Sequence, residues 1–245
     1  LPFQPNISMN RWMNGKARKV PMPEAMPSEA IACGRFAGGT ALALRFGEYR
    51  ESVDIDFVVA DSAAYRRLRE ECRQNGFPAL TVEGQRVVTA DPLRIDQYGI
   101  RTRLEVAGSP VKFEIVREGR ISFDRPCRTD VALGLATPTL ADLVAMKLLA
   151  NSDRWTDPTV FSRDIIDLAM VQPKRPTLAR AIDKASAAYG DSVVRDARSA
   201  IAWLLDGDEV LDRCRQAMGM DQPRAVLVHH LRRLAISLDA VSSPV

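Results

Sequence analysis

The chain has 245 residues, of which 46% are hydrophobic, and its 34 basic and 31 acidic side chains leave a net charge of +3. This size allows one large domain or two modest ones, and so small a positive charge permits contact with polyanions without requiring it. The four cysteines include no Cys-x-x-Cys pair, so neither a zinc site nor a disulfide scaffold is indicated. No apolar run approaches the roughly 20 residues that span a bilayer. We therefore expect a soluble, cytoplasmic protein with reduced thiols and no membrane partner.

The first predicted segment, residues 1–27, is a basic and proline-rich arm. It holds five prolines and four basic side chains, and no acidic residue precedes Glu24. A solvated tail accounts for this composition. Contact with a phosphate backbone is the alternative.

The chain up to about residue 130 mixes helix and strand patterns. The spacing of its apolar residues predicts, in chain order, a helix at 41–46, a strand at 53–59, a helix at 62–75 that stops at Gly76, and strands at 86–89, 94–105 and 111–116, the second interrupted at Gly99. This order predicts a small mixed sheet that is covered on one side by helices.

After residue 130 the strand signal almost disappears. Helices are predicted at 138–150, 162–171, 177–189, 191–205, 208–218 and 222–238, separated by proline, glycine or aspartate. The expected fold class is therefore α+β, with a sheet-containing domain over residues 1–130 and an α-helical bundle domain over residues 131–245.

Two carboxylates interrupt the predicted strand at 53–59. Residues two apart on a strand face the same way, so Asp54 and Asp56 share one face while the residues between and after them point into an apolar one. Adjacent carboxylates repel each other unless a cation lies between them. Hard oxygen ligands suit Mg²⁺, which takes its remaining ligands from water and substrate phosphates. The alternative is an edge strand with two solvated acids, paired with Arg45 or Arg50.

Two glycines and a threonine precede this acid pair. Gly38 and Gly39 allow the backbone to approach a ligand closely, and the free N–H groups at the start of the following helix favour an anion such as a triphosphate. The Thr40 hydroxyl can cap the helix or donate to a phosphate oxygen. A Gly-Gly pair alone is more often a tight turn, but an anion cradle followed by an acid pair predicts a nucleoside triphosphate (NTP) site.

A third carboxylate is expected on a neighbouring strand, because two-metal phosphoryl chemistry uses one to complete the clamp on the attacking oxygen. In the strand at 111–116, apolar residues alternate with Lys112 and Glu114, so Glu114 faces away from the core and is the candidate. Asp96 and Glu105 are possible substitutes. In the alternative interpretation, Glu114 only pairs with Lys112 or with an arginine across the sheet.

Two blocks of the sequence resemble a known family. Residues 37–57 resemble the nucleotidyltransferase motif Gly-Gly/Ser followed by Asp-x-Asp, and the form GGTALALRFG followed by S-x-DIDF is similar to the AbiEii/AbiGii toxin family. The later block LADLVAMKLLANSDRWTDPTVFSRDIIDLAM resembles that family's second signature, which here consists of Lys147, Arg154, Arg163, Asp164, Asp167 and Leu168. Thr40 stands where the simplest nucleotidyltransferase pattern has serine, and it keeps the hydroxyl.

The resemblance implies a polymerase-β-like nucleotidyltransferase domain that transfers a nucleotide from an NTP, with Mg²⁺, and expels pyrophosphate. The predicted metal ligands are then Asp54, Asp56 and Glu114, and the predicted nucleotide contacts are Gly38, Gly39, Thr40, Ser52, Lys147 and Arg154. Lys147 would neutralise the β- and γ-phosphates, with a solvated lysine as the alternative, whereas Arg154 would join it there or pair with an acid. The family pattern marks both Asp164 and Asp167, one as a catalytic contact to nucleotide or metal and the other as an anchor for Arg163 or Lys147, without saying which has which role.

Many members of this family are toxins of toxin–antitoxin pairs, and some modify the 3′ end of tRNA. The resemblance therefore implies an antitoxin partner and an RNA acceptor, most simply tRNA. The basic arm and the excess of basic residues between positions 94 and 128 also favour RNA. The alternatives are transfer to a small molecule or protein side chain, and a non-catalytic module that binds NTP or the antitoxin.

Overall fold

A computed structural model describes residues 34–81 and 87–242 of the chain. The predicted arm at 1–27 and the first residue of the predicted strand at 86–89 lie outside these ranges. Within them, the chain is a mixed α/β protein with eight α-helices and a five-stranded mixed sheet. None of those helices is both long and apolar enough to cross a membrane.

The main sheet consists of strands β1 (Arg35–Phe36), β2 (Ile55–Val59), β3 (Arg94–Ile95), β4 (Gly99–Val106) and β5 (Ser109–Arg117). Their order across the sheet is β1-β2-β5-β4-β3. Strands β2 and β5 run parallel, and every other pair is antiparallel. The predicted strand at 94–105 is confirmed as two strands, since the chain turns just before Gly99. Residues 87–89, the described part of the predicted strand at 86–89, form one isolated bridge, from Thr89 to Leu104.

One face of the sheet is apolar and the other carries charge. Ile55, Phe57 and Phe113 are each at most 2% exposed, and the rings of the two phenylalanines lie 6.1 Å apart. Because side chains alternate along a strand, Asp56 and Glu114 point away from this core. The two acidic strands therefore present their carboxylates on the face that the apolar residues leave open.

Two helices flank the first long strand in sequence. Helix α1 (Gly38–Arg45) begins earlier than the predicted helix at 41–46, so both glycines lie in its first turn. Helix α2 (Ser62–Asn75) has the predicted bounds. Its N-terminus is capped by Asp61, which accepts a hydrogen bond from the Ala64 amide at 2.6 Å. It ends at Gly76, whose φ of 66° suits only glycine without strain.

The remaining helices are α3 (Leu140–Arg154), α4 (Arg163–Val171), α5 (Arg175–Tyr189), α6 (Ser192–Asp206), α7 (Asp208–Ala217) and α8 (Arg224–Ser242). All six predicted helices after residue 130 are confirmed, with shifted ends. Leucine, isoleucine, valine and alanine at helical spacing bury one face of each helix. Among them, Leu148, Ile166, Leu178 and Leu231 are fully buried in one hydrophobic cluster.

The expectation that strands nearly vanish after residue 130 misses a small hairpin. Strand β6 (Val131–Ala132) pairs antiparallel with β7 (Leu135–Ala136). The two turn residues, Leu133 and Gly134, both have positive φ, at 53° and 78°. A turn of this kind favours asparagine, aspartate or glycine at the first position, so the leucine there concealed the hairpin in the sequence.

The described chain divides into two compact units that are interleaved in sequence. The first contains residues 34–41, Ser52–Gly119 and Arg128–Thr137, and the second contains Leu42–Glu51, Arg120–Cys127 and the chain from Pro138 onward. The first unit therefore holds all seven strands with α2, and the second holds α3 to α8. The simpler domain boundary near residue 130 stays a prediction.

Candidate active site

Two of the three predicted metal ligands lie side by side in the first unit. Asp56 is the second residue of β2, and its partner in the parallel register is Glu114 on β5. Asp54 comes immediately before β2 and is partly buried, like Asp56 and Glu114. The structure therefore places the third candidate carboxylate on the strand next to the acid pair.

Glu114 forms two ion pairs. Its Oε1 accepts a hydrogen bond from Arg101 Nε at 2.5 Å, and its Oε2 accepts one from Lys112 Nζ at 2.6 Å. Burial raises the pKa of Glu114, but the bonds to Lys112 and Arg101 outweigh burial and leave the pKa below its usual value. Both cations named in the ion-pair alternative are thus present, and Glu114 stays ionised well below neutral pH.

The pKa of Lys112 reflects the combined negative charge of the three carboxylates. Burial lowers the pKa of its ammonium, while the bond to Glu114 and the charges of Glu114, Asp56 and Asp54 raise it, with a net increase. A cation is therefore stabilised beside this acid group. The oxygen-only donor set suits a hard divalent ion. Across the described ranges, however, no three His, Cys, Asp or Glu side chains are already arranged as a metal cage.

The two substitute carboxylates are placed differently. Asp96 accepts bonds from the amides of Tyr98 and Gly99 and from Arg101, so it belongs to the turn between β3 and β4. Glu105 lies near the far end of β4 and is exposed. Glu114 is the one of the three candidates in direct register with Asp56.

The glycine pair lies directly against the acid pair. The Ala37 amide donates to the Asp56 carbonyl at 2.8 Å, and Gly38 follows with a φ of 71°. A Cβ atom at Gly38 would lie 2.2 Å from Asp56 Oδ2. Glycine is required here both for its backbone conformation and for the close approach of the carboxylate, so the N-terminus of α1 and the Asp56 carboxylate share one small region.

Thr40 and Ser52 join the helix to the segment before β2. Thr40 Oγ1 donates to the Asp54 carbonyl at 2.6 Å and lies 2.8 Å from Ser52 Oγ. Since the threonine proton is used on Asp54, Ser52 donates to Thr40. The two hydroxyls therefore fix the backbone at Asp54. Gly39, the remaining predicted nucleotide contact of this segment, is the second residue of α1.

We expect Gly38→Ala to destabilise the protein more than Gly47→Ala. Both glycines have positive φ, which costs alanine about 1–2 kcal/mol, but nothing lies within 4 Å of a Cβ at Gly47. In G38A the Asp56 carboxylate must also move, so nucleotide transfer falls sharply, whereas G47A keeps its transfer rate. Thermal melting and transfer rates of the two variants check this. Equal losses of transfer would contradict it.

The second group of predicted residues forms a buried ionic network in the second unit. Lys147 on α3 is 8% exposed, and its Nζ binds Asp164 at 2.8 Å and Asp167 at 2.6 Å, both on α4. The carboxylates are 2% and 0% exposed. The predicted pairing of Lys147 with one of these acids is therefore observed with both, and the solvated-lysine alternative is wrong.

Two members of this network were missed by sequence reasoning. The Tyr49 hydroxyl donates to Asp167 Oδ1 at 2.7 Å, and Arg50 donates to the same carboxylate through Nε at 2.7 Å and Nη2 at 3.1 Å. Burial and the charge of Asp167 raise the pKa of Tyr49, so its proton stays in place. Arg50, which the sequence suggested as a partner of the Asp54 and Asp56 pair, thus binds Asp167.

Arg154 completes the network. Its Nε and Nη2 donate to Asp164 at 2.7 and 3.0 Å, a bidentate pair, while about a third of its side chain is exposed. The pairing alternative for Arg154 is therefore observed. Burial raises the pKa of Asp164, but Lys147 and Arg154 outweigh burial and depress it strongly.

This network predicts how stability depends on pH. The pKa values of Asp164 and Asp167 are lowered in the folded protein, so their contribution is present above the unfolded value of about 4 and is lost as pH falls below it. We expect the urea midpoint to be steady from pH 7 to 5 and to fall steeply below about pH 4. D164N should make the fall of the urea midpoint below pH 4 less steep, whereas D183N, at an exposed position on α5, should not. A decline between pH 7 and 5 would contradict the assignment.

The predicted site residues thus fall into two groups. Gly38, Gly39, Thr40, Ser52, Asp54, Asp56 and Glu114 belong to the first unit, and Lys147, Arg154, Asp164 and Asp167 belong to the second. That both groups contact one nucleotide stays a prediction.

Comparisons with known proteins bear on this arrangement. The family model described as "Nucleotidyl transferase AbiEii toxin, Type IV TA system" matches residues 28–235. Among solved structures, the crystal structure of JHP933 from Helicobacter pylori is similar, with 19% sequence identity, a TM-score of 0.50 and coverage of 87% of this chain and 86% of that chain. At this identity the likeness concerns the fold alone. A search of curated proteins found no match.

Proposed function

We propose that this chain, which belongs to the AbiEii family of nucleotidyltransferase toxins of type IV toxin–antitoxin systems, transfers a nucleotide from an NTP to RNA. The proposed acceptor is the 3′ end of a tRNA, and the proposed cofactor is Mg²⁺. Membership of the family implies a nucleotide substrate and an antitoxin partner.

One observation carries the proposal: the N-terminus of α1 and two carboxylates on neighbouring strands meet in one region of the first unit. Gly38 touches Asp56, and Asp56 is in register with Glu114. A helix N-terminus attracts phosphate through its free amides and its dipole. Packing of a core does not require acids beside such a helix start, whereas holding a divalent cation against a polyphosphate does.

Asp54 and Asp56 would hold Mg²⁺, because their oxygens suit a hard cation and the local field already favours positive charge at Lys112. When bound, the ion neutralises phosphate charge and polarises the α-phosphoryl group. Glu114 would join this group after exchange of its bonds to Arg101 and Lys112. The chain's own contribution is mainly position and charge.

The proposed step is a substitution at the α-phosphorus. The hydroxyl oxygen of the acceptor forms a new bond to phosphorus, the bond to the oxygen that bridges the α- and β-phosphates breaks, and pyrophosphate leaves. The amides at the start of α1 bind the leaving phosphates, while Glu114 orients the hydroxyl and accepts its proton.

The test is a transfer assay with purified full-length protein. Each α-labelled NTP is incubated with Mg²⁺ and total RNA, with an EDTA reaction as the control, and release of pyrophosphate is followed in parallel. We expect RNase-sensitive label in molecules of tRNA size and an equal amount of pyrophosphate. Label in protein or a small molecule would disprove the RNA acceptor, and no label anywhere would disprove transfer under this proposal.

A further inference from the structure

The charge of the side chains on the open face of the sheet changes sign from one side of the sheet to the other. Across the strands, Asp56 on β2 is in register with Glu114 on β5, Glu114 with Arg101 on β4, and Arg101 with Arg94 on β3. Directly paired residues share a face, and the contact between Arg101 and Glu114 confirms it. The row therefore reads acid, acid, cation, cation.

A second row adds cations to the same face. Lys112 on β5 is in register with Arg103 on β4, and Asp54 comes immediately before β2. Lys112 binds Glu114, and about half of the side chain of Lys112 and of Arg103 is exposed. The cations of the two rows thus lie on β5, β4 and β3, whereas Asp56 lies on β2 and Asp54 just before it.

The glycine end of α1 lies on the other side of these acids. Helix α1 follows the edge strand β1, whose neighbour is β2, and Gly38 contacts Asp56. The acids are therefore flanked by the helix start toward β1 and by the cations toward β3. In the proposed function, on which this inference rests, the leaving phosphates bind at the helix start.

We propose that the cations Arg94, Arg101, Arg103 and Lys112 form an acceptor face that binds the phosphate backbone of the RNA. Phosphoryl displacement is in line, so the attacking and leaving oxygens lie on opposite sides of the phosphorus. With the leaving group toward β1, the acceptor hydroxyl must arrive from the side of β5 and β4. The phosphates that follow that hydroxyl then lie over the arginines, whose planar fork suits them.

The exposed acidic partners of Arg103 and Arg101, Asp91 and Asp96, do not prevent such binding. Asp91 accepts two bonds from Arg103, and Asp96 accepts one from Arg101. These pairs are solvent-exposed, with side chains from about a third to more than half accessible. Exposed ion pairs contribute little to stability, so an RNA phosphate can replace a carboxylate. Before RNA binds, the carboxylate keeps the guanidinium extended.

The acceptor face is tested by binding of bulk tRNA to the full-length protein without NTP or Mg²⁺. R94E/R103E changes two cations of the face that do not contact Glu114, and R66E/R73E makes the same change at exposed arginines of α2. We expect R94E/R103E to weaken binding about 10-fold or more and to reduce the slope of log K against log salt by about 1.4–1.8, since each of two phosphate contacts contributes about 0.7–0.9. The α2 variant should change binding about 2-fold or less.

R94Q/R103Q repeats the test without placing a new carboxylate beside Asp91, and melting curves verify folding. The KM for NTP should stay constant while the KM for tRNA rises. Equal binding losses in the face and α2 variants, or a raised KM for NTP alone, would overturn the acceptor face. If the wild type transfers to RNA but these variants bind normally, this inference fails alone. If binding depends on the face but no RNA is labelled, the proposed function fails alone.

Discussion

Asp56→Asn is expected to lower the rate of nucleotide transfer by about 10²- to 10³-fold, the range seen when one preorganised electrostatic contact is removed from an active site. The amide keeps the shape of the side chain but loses the negative charge that faces the Glu114 carboxylate across β2 and β5. Because hard divalent ions prefer carboxylate to amide oxygen, binding of Mn²⁺, measured by electron paramagnetic resonance, should weaken about 10-fold or more.

The stability of D56N should differ from wild type by less than about 1 kcal/mol, because Asp56 is partly exposed and a like charge has been removed beside Glu114. E71Q makes the same chemical change at an exposed position of α2 and should leave both transfer and Mn²⁺ binding unaltered. A D56N protein that transfers at more than a tenth of the wild-type rate would disprove the assignment of Asp56 to the reacting centre.

Lys147→Met should destabilise the second unit by about 3–5 kcal/mol, because each of two buried carboxylates loses a charge-assisted hydrogen bond, at about 1.5–3 kcal/mol apiece. For a protein of this size, such a loss lowers the melting temperature by about 10 °C. The control is K174M, since Lys174 is exposed just before α5. This variant should melt like wild type. Urea titration and thermal melting measure both variants.

Charge balance gives a second test. In K147M, Asp164 keeps its bidentate pair with Arg154 and Asp167 keeps Arg50, so adding D164N removes a paired carboxylate and leaves Arg154 without this partner. The double variant should therefore be less stable than K147M. If K147M melts like wild type, or if the double variant is the more stable of the two, the network does not contribute in this way.

The same lysine tests the nucleotide contact expected from the family resemblance. The KM for NTP of K147M, measured well below its melting temperature, should rise if Lys147 neutralises phosphates. The two bonds from Lys147 to Asp164 and Asp167 already establish its role in the buried network. An unchanged KM for NTP together with lowered stability would mean that this is its only role.

Elements with strong local signals could be predicted from the sequence. Helix α2 has an aspartate cap, an apolar stripe at helical spacing and a glycine stop, and its predicted bounds were correct. The alternation around Phe113 and Glu114 likewise predicted which face of β5 is buried. Hairpin β6–β7 was missed because its strands have two residues each and its turn places Leu133 at positive φ.

Tertiary pairings could not be read from the sequence in the same way. Tyr49 and Arg50 lie more than 100 residues before Asp167 and bear no spacing signal that connects them to it. The cross-strand bond from Arg101 to Glu114 requires the register of β4 against β5. Resemblance to a family indicated that Lys147, Asp164 and Asp167 matter, but only the structure shows that Lys147 binds both acids at once.

The interleaving of the two units limits how the protein can be dissected. A fragment that starts at residue 131 would contain Asp167 but lack Tyr49 and Arg50, the two side chains that share its carboxylate. Such a fragment should be poorly folded even though it includes six complete helices. Cleavage immediately after Glu51 would likewise place those two side chains on a different fragment from Asp167. Domain-swap chimaeras between relatives should therefore exchange the segment Leu42–Glu51 together with α3 and α4.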